Sequence, residues 1–256
     1  MLLAIDIGNT NVKLGVFEAA ELRATWRVAT DAERLADEYA VLFLNLLRLK
    51  KIEPESITGA VFASVVPSLS SVFEDLVQRY FGVRALRVGA GVRTGMRILY
   101  EARELAPDRL AVALGALRLH RPPLVVVHLG TGTVFEAISR DGDYLGGAIA
   151  PGIGVASDAL FERAAMLRSV ELRPPKQAIG TNTASAMQSG ILFGYAELID
   201  GIVRRFKNEI GDDAWVVGTG GWAPLMHQVA SSFDHVDLNL SLHGLRIIYD
   251  LNEAPS

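Results

Sequence analysis

The sequence of 256 residues contains no cysteine. Disulfides, thiolate metal sites, iron–sulfur clusters and thiol nucleophiles are therefore excluded. An excess of positive charge is also missing, since 25 lysines and arginines stand against 29 aspartates and glutamates. Proteins that bind the phosphate backbone usually carry a basic surface, so this balance argues against nucleic acid as the main partner.

Long hydrophobic runs are missing too. A membrane-spanning helix needs roughly 20 predominantly apolar residues, and the sequence has no such stretch. The apolar run at the N-terminus meets Asp6 after five residues and has no basic segment before it, which is not the pattern of a signal peptide. We therefore expect a cytoplasmic protein without a membrane partner.

Local signatures of several enzyme classes do not occur. The five histidines include no HExxH pair, and the sequence has no GxSxG element. These absences argue against a histidine metal site and against serine-hydrolase chemistry. Neither a GxxxxGK[ST] phosphate loop nor a GxGxxG strand–helix junction is present, so the two commonest nucleotide-binding motifs are not supported.

The composition favours a packed α/β protein. Half of the residues are hydrophobic and 24 are glycine, and strand patterns alternate with helix patterns along the chain. Thr30 and Glu33 form a candidate capping box for the first helix. The predicted helices cover 31–51, 70–81, a segment starting near Pro107, 155–167, 183–210 and 241–250.

The chain contains an internal repeat. The segment DIGNTNV (6–12) aligns without gaps on HLGTGTV (128–134), an offset of 122 residues, and apolar strand patterns flank both segments. The repeat predicts two similar lobes, 1–115 and 116–256, with a cleft between them. No linker rich in proline, serine or charge separates the halves.

Each half places a glycine turn between two apolar strands. Glycine has no Cβ, so the backbone N–H groups of such turns can approach an anion closely. Asp6 ends a buried strand and can hold a hydrated Mg²⁺ that bridges phosphates. A third cluster, GTGG at 218–221, can pass close to an adenosine. Side-chain donors near the turns are Asn9, Thr10, Asn11, Thr131 and Thr133; ordinary hairpins are the alternative interpretation.

Asp108 follows Pro107 in the first turn of a predicted helix. The residues alone favour a carboxylate that is simply stabilised by the helix dipole. The alternative is a general base that accepts a proton from a substrate hydroxyl. Arg109, beside it, can pair with a carboxylate on a substrate.

The sequence motifs of this chain resemble those of the type III pantothenate kinases. The resemblance covers nearly the whole chain and implies the actin-like ATPase (ribonuclease H-like) fold, with two similar α/β lobes and a cleft. It rests on DIGNTN (6–11), ASVVP (63–67), GVRTG (91–95), DR (108–109), GTGT (130–133), YLGGAIAPGI (144–153), ALFERAA (159–165), IGTNT (179–183), MQSGI (187–191) and TGG (219–221).

The resemblance also implies an activity and a set of site residues. The family phosphorylates pantothenate with ATP to 4'-phosphopantothenate, the first step of coenzyme A biosynthesis, using Mg²⁺ and a monovalent cation (K⁺ or NH₄⁺), as a homodimer. Asp108 is similar to the family's base. The ATP contacts implied are Asp6, Ile7, Gly8, Asn9, Thr10, Asn11, Val12, Lys13 and Thr131; the pantothenate contacts are Tyr100, Ala106, Pro107, Asp108, Arg109 and Thr183.

Three motifs depart from the family pattern. His128 stands where the family has an aspartate that helps hold the monovalent cation, Ala106 and Pro107 replace the residues before DR, and YEAR (100–103) replaces YDNP. One hypothesis is an active kinase with an altered cation requirement, in which a protonated His128 supplies positive charge. The other is a non-catalytic relative that binds ligand or regulates, as the family's transcriptional accessory members do. A sugar or acetate kinase fits less well.

Overall fold

The computed structural model of the chain describes residues 1–101, 103–164 and 167–253. Ala102 of the YEAR element, residues 165–166 of one predicted helix and the last three residues of the predicted second lobe lie outside the described residues. The strands are β1 Leu2–Ile7, β2 Asn11–Glu18, β3 Glu21–Ala29, β4 Gly59–Ser64, β5 Ala85–Arg87, β6 Leu124–Leu129, β7 Gly132–Ile138, β8 Tyr144–Pro151, β9 Trp215–Thr219 and β10 His235–Val236.

Seven α-helices are found among these residues. They are α1 Ala36–Leu49, α2 Pro67–Phe81, α3 Pro107–Leu119, α4 Ile153–Arg163, α5 Thr183–Ile210, α6 Ala223–Met226 and α7 Leu240–Glu253. The predicted start of α3 at Pro107 and the full extent of α5 are confirmed. Gly82 ends α2 in the left-handed conformation at φ 68°, as expected for a glycine at a helix C-terminus.

The first five-stranded sheet has the order β3-β2-β1-β4-β5. β1 is antiparallel to β2 and parallel to β4. Alternate residues of β1 point to opposite faces. Leu3, Ile5 and Ile7 join a buried core with the apolar residues of α1 and α2. The opposite face, which carries Ala4 and Asp6, is covered by α7, and α7 packs on β1, β2 and β4.

The second sheet repeats this arrangement. Its order is β10-β9-β6-β7-β8, with β6 antiparallel to β7 and parallel to β9. β6 therefore corresponds to β1, and the first residues of these strands, Leu124 and Leu2, are separated by the same offset as the sequence repeat. The prediction of an α/β protein built from two similar units is confirmed.

The two compact units differ from the predicted lobes in their bounds. One unit comprises 1–96, 101–115 and 240–256, and the other comprises 97–100 and 116–239. In this division α7, which begins at Leu240, is grouped with the first unit. The physical reason is that α7 buries its apolar face, including Leu242 and Leu245, on the first sheet.

The first helix begins later than predicted. α1 starts at Ala36. The carboxylate of Glu38 accepts a hydrogen bond from the Leu35 N–H at 2.8 Å, and the Glu38 N–H donates to the carbonyl oxygen of Leu35 at 3.1 Å. Thr30 instead donates its hydroxyl proton to the carbonyl oxygen of Gly8 at 2.7 Å. A hydrogen bond to the first glycine turn thus takes the place of the predicted cap.

Candidate active site

The first glycine turn joins β1 to β2 and is held by the end of β3. The Gly8 N–H donates to the carbonyl oxygen of Asn11 at 3.0 Å, and the Thr30 N–H donates to the carbonyl oxygen of Thr10 at 3.0 Å. Asn9 and Thr10 are exposed at the tip. The turn is therefore anchored through its backbone while its tip side chains face solvent, as a phosphate contact requires.

Asp6 and Lys13 lie directly opposite each other at the base of this turn. Asp6 sits near the end of β1 and is 9% exposed, and the antiparallel register pairs it with Lys13 of β2. Residues paired in this way point to the same face of the sheet. The turn thus presents a nearly buried carboxylate and a half-buried ammonium side by side, while Ile7 and Val12 are buried in the core.

Asp108 occupies the first turn of α3 and is half-buried. Its carboxylate oxygen accepts a hydrogen bond from the Arg109 N–H at 2.8 Å. Burial and, to a smaller extent, repulsion from Asp6 raise the pKa of Asp108 from 3.8 to about 6, against the opposing effect of backbone hydrogen bonds from Arg109 and from Asp108 itself. The structure therefore brings Asp108 into the field of Asp6, a proximity that the sequence did not show.

The residues around Asp108 form a rigid helix start. Pro107 is the first residue of α3, and the Leu110 N–H donates to the carbonyl oxygen of Ala106 at 3.1 Å. Proline is favoured at this position because its missing N–H would have no partner inside the helix. Arg109 is only 7% exposed, so its guanidinium is held within the fold and is not a freely moving surface group.

The second glycine turn joins β6 to β7 and is closed from two sides. The Gly130 N–H donates to the carbonyl oxygen of Gly132 at 3.0 Å, and the Gly152 N–H donates to that of Thr131 at 3.0 Å. A Cβ on Gly152 would lie 2.2 Å from the Thr131 oxygen, so only glycine allows this approach. The Trp222 N–H donates to the carbonyl oxygen of Leu129 at 3.3 Å, which brings the TGG segment to the same turn.

The two threonines of this turn have different environments. Thr131 is exposed at its tip. Thr133 is fully buried, and its hydroxyl oxygen has no hydrogen-bond partner. Thr131 can therefore serve as a ligand contact from solvent, whereas the hydroxyl of Thr133 is shielded from solvent within β7.

His128 lies on β6 beneath the second turn. It is half-buried, and its backbone is paired with Val134 of β7 and Thr219 of β9. Its Nε2 atom would be 3.3 Å from a Cβ placed on Gly130. The imidazole therefore fills the space directly against the glycine turn.

Tyr100 packs on a buried polar pair that the sequence did not indicate. Its ring meets the edge of Tyr144 at a centroid distance of 6.1 Å. The Tyr144 hydroxyl donates to a carboxylate oxygen of Glu136 at 3.0 Å, and both residues are fully buried. Glu136 falls inside an apolar strand pattern, and a carboxylate at such a position is the signal that could have marked it.

Thr183 is the first residue of α5 and is exposed. Asn182 caps this helix, accepting a hydrogen bond from the Ser185 N–H at 2.9 Å. The expected site residues are thus distributed over the two units: the first holds Asp6 to Lys13 and Ala106 to Arg109, and the second holds Tyr100, His128, Thr131 and Thr183.

Within 1–101, 103–164 and 167–253, no group of three or more histidine or acidic side chains is arranged to hold a metal ion. Over the same ranges, no helix combines the length and the apolar character that a membrane span demands.

Solved structures share the fold at low sequence identity. A Campylobacter jejuni protein described as a Baf family transcriptional activator matches with a TM-score of 0.62 and 18% identity over 97% of each chain. The ROK hexokinase of Thermus thermophilus matches with a TM-score of 0.50 and 15% identity, covering 96% of this chain and 97% of its own. At these identities the likeness concerns the fold alone, and it confirms the actin-like class.

Sequence relatives are far closer. A protein of Moorella thermoacetica called type III pantothenate kinase is 47% identical over 253 residues, which is 98% of this chain and 100% of its own. A Myxococcus xanthus protein of the same name is 46% identical over 99% of this chain and 100% of its own. The sequence model of the type III pantothenate kinase family matches residues 2–205. This chain belongs to the type III pantothenate kinase family.

Proposed function

We propose that this protein transfers the γ-phosphoryl group of ATP to the hydroxyl of pantothenate, forming 4'-phosphopantothenate at the first step of coenzyme A biosynthesis. The observation that carries the proposal is the Asp6–Asp108 arrangement in the first unit. It sets a base of raised pKa close to the glycine turn that the family uses for ATP. No observation favours the alternative of a regulatory protein without catalysis.

Asp108 is suited to accept the proton of the attacking hydroxyl. A pKa of about 6 leaves the carboxylate ionised at neutral pH while making it a stronger base than an ordinary aspartate. The Arg109 N–H donates a hydrogen bond to one carboxylate oxygen and so fixes the orientation of the carboxylate. Phosphoryl transfer needs mainly positioning and charge stabilisation, and Asp108 contributes the positioned base.

The proposed ATP contacts are the residues of the first glycine turn and Thr131 of the second. Asn9 and Thr10 offer side-chain donors at the first turn, where Gly8 leaves room for the close approach of a phosphate, and Thr131 offers a donor at the second. Lys13 adds a positive charge for the phosphate oxygens. Ile7 and Val12 are buried, so we assign them to the support of the first turn, without contact to the nucleotide.

A divalent cation fits the residues of the first unit. Asp6 is a nearly buried carboxylate at the base of the first turn, and Mg²⁺ beside phosphates is usually held through one or two carboxylates. Bound Mg²⁺ would neutralise charge on the phosphate oxygens, with Asp6 orienting its water shell.

A monovalent cation does not fit the residues of the second turn. His128 fills the space against Gly130, and an imidazole offers no carboxylate oxygen to K⁺ or NH₄⁺. We therefore assign no step to such a cation and propose that this chain works without one.

Pantothenate is proposed to contact Tyr100, Ala106, Pro107, Arg109 and Thr183. Arg109 is the natural partner of the substrate carboxylate, because a guanidinium binds a carboxylate through two parallel hydrogen bonds. A cytoplasmic homodimer, with Thr183 reaching the substrate pocket near the subunit interface, completes the proposal.

The direct test is a coupled assay of ADP release with purified protein, ATP and pantothenate. Wild-type protein should turn over, and Asp108→Asn should lower kcat by a factor of roughly 10² or more, with MgATP affinity retained. Asp75→Asn removes a carboxylate that pairs with Arg79 at the surface of α2 and should leave kcat unchanged. Wild-type turnover that persists in Asp108→Asn would remove Asp108 from its role, and a wild type without turnover would contradict the proposal.

A further inference from the structure

The C-terminal helix α7 covers the face of the first sheet that carries Asp6 and Lys13. Lys13, Gly15 and Phe17 alternate along β2 and share that face. A Cβ on Gly15 would lie 2.9 Å from a methyl carbon of Leu242, and the ring of Phe17 meets that of His243 at 5.5 Å. The start of α7 therefore lies directly over the strand that leaves the first glycine turn.

Ser241, in the first turn of α7, reaches Lys13. The Lys13 ammonium donates a hydrogen bond to the Ser241 hydroxyl oxygen at 3.4 Å, across 228 residues of sequence. Ser241 is only 1% exposed, so its hydroxyl is fixed by packing, whereas a lysine side chain has four rotatable bonds to restrain. The fixed hydroxyl oxygen of Ser241 therefore restricts the lysine side chain to conformers that bring its ammonium to this oxygen.

We propose that Ser241 is a positioning residue that holds the Lys13 ammonium for the ATP phosphates, so that α7 forms part of the nucleotide site. This inference rests on the proposed function, in which Lys13 meets those phosphates. The family model's match ends at residue 205, and α7 begins at Leu240, so no motif used to recognise the family contains this residue.

Removing the Ser241 hydroxyl is expected to change the affinity for ATP and not the affinity for pantothenate. Loss of a hydrogen bond to a charged group typically weakens the affinity for a ligand by roughly tenfold. Ser241→Ala should therefore raise the KM for ATP by about three- to tenfold, with the KM for pantothenate unchanged and kcat lowered less than twofold. Ser241→Thr keeps the hydroxyl and should restore the KM for ATP.

Ser70 provides the matched control. It is a buried serine of α2, 3% exposed, and its hydroxyl oxygen has no hydrogen-bond partner. Ser70→Ala removes the same atom from the same unit without breaking a contact to Lys13. It should leave all three kinetic constants at their wild-type values. Equal constants in Ser241→Ala and Ser70→Ala would overturn the proposal.

A double-variant cycle tests whether Ser241 acts through Lys13. Lys13→Met should weaken MgATP binding, measured by calorimetry without pantothenate, and adding Ser241→Ala to it should change the Kd no further. Independent, additive losses would overturn the proposal, as would a wild type that does not bind MgATP. Coupled losses in a protein that binds MgATP but fails to phosphorylate pantothenate would support the role of Ser241 while refuting the proposed function.

Discussion

At the scale of single residues, the environment that makes Asp108 a stronger base also makes its ionised carboxylate destabilise the folded protein. Its pKa rises from 3.8 to about 6 through burial and the nearness of Asp6, so ionising it costs more in the folded protein than in the unfolded chain. The folded state therefore binds more protons between about pH 4 and pH 6, and stability falls as the pH rises through that window.

Asp108→Asn should consequently stabilise the protein at pH 7.5 while removing turnover. One pKa unit corresponds to about 1.4 kcal/mol, which sets a gain of roughly 1–3 kcal/mol in the free energy of unfolding after allowance for solvent screening. The gain should shrink as the pH falls from 6 and vanish below about pH 4, where the wild-type carboxyl is protonated in both states. Urea unfolding at several pH values measures this, and a gain that persists at pH 3.5 would contradict it.

A second prediction at this scale concerns His128 and the monovalent cation. Wild-type turnover should not change when K⁺ is replaced by Na⁺ at constant ionic strength. His128→Asp restores a carboxylate at the second turn and should introduce K⁺ stimulation, because carboxylate oxygens are ligands for hard cations.

His227→Asp is the control for this substitution. It makes the same exchange at an exposed position of the same unit and should create no K⁺ response. Strict K⁺ dependence of the wild type would show that His128 does not displace the cation.

At the scale of elements, a close crossing of α3 and α7 holds the helix that carries Asp108. A Cβ on Gly244 would lie 1.7 Å from the carbonyl oxygen of Ala111, and one on Gly115 would lie 2.1 Å from that of Leu240. The two backbones therefore touch with no side chain between them. Neither carbonyl belongs to a flexible group that could move aside, so the crossing sets the position of α3 on the first unit.

Gly244→Ala should destabilise the protein by roughly 2–4 kcal/mol, because the new methyl group forces the helices apart. It should also lower kcat through displacement of Asp108. Gly201→Ala in α5 is the contrasting change: the nearest atom to its added Cβ is 4.0 Å away, and it should stabilise by about 0.5–1 kcal/mol. Thermal unfolding of both variants measures the difference, and equal melting temperatures would refute a tight crossing.

At the scale of the whole molecule, two units of the same strand order are joined so that the chain returns to its first unit through α7. Nucleotide binding should stabilise the protein, because ATP binds the folded state and not the unfolded chain. At a MgATP concentration of 100 Kd the stabilisation is about 2.7 kcal/mol, equivalent to a rise in Tm of roughly 5–10 °C for a chain of this size.

The same thermal shift should occur with Asp108→Asn, whose base is lost but whose turns are intact, and should be smaller with Ser241→Ala. Differential scanning calorimetry with and without MgATP measures it. A wild-type Tm that MgATP leaves unmoved would contradict the assignment of the glycine turns.

Much of this molecule could be predicted from local pattern. The apolar strands, the two glycine turns and the start of α3 at Pro107 follow from periodicity and from the conformational limits of glycine and proline. The start of α1 could not be predicted in this way, because Thr30 is drawn to the carbonyl of Gly8, a partner 22 residues away. Burial of Thr133 was missed for the same reason, since the packed face of β7 is set by its neighbours.

The sequence by itself determined the α/β class, the internal repeat and the family, because each of them depends on patterns within short contiguous segments. Only the tertiary structure decided which residues act together: Asp6 beside Asp108, Ser241 on Lys13, and α7 on the first sheet. Desolvation, charge repulsion and a hydrogen bond spanning 228 residues depend on distances through space. Those distances exist only once the chain has folded and its last helix has returned to its first strands.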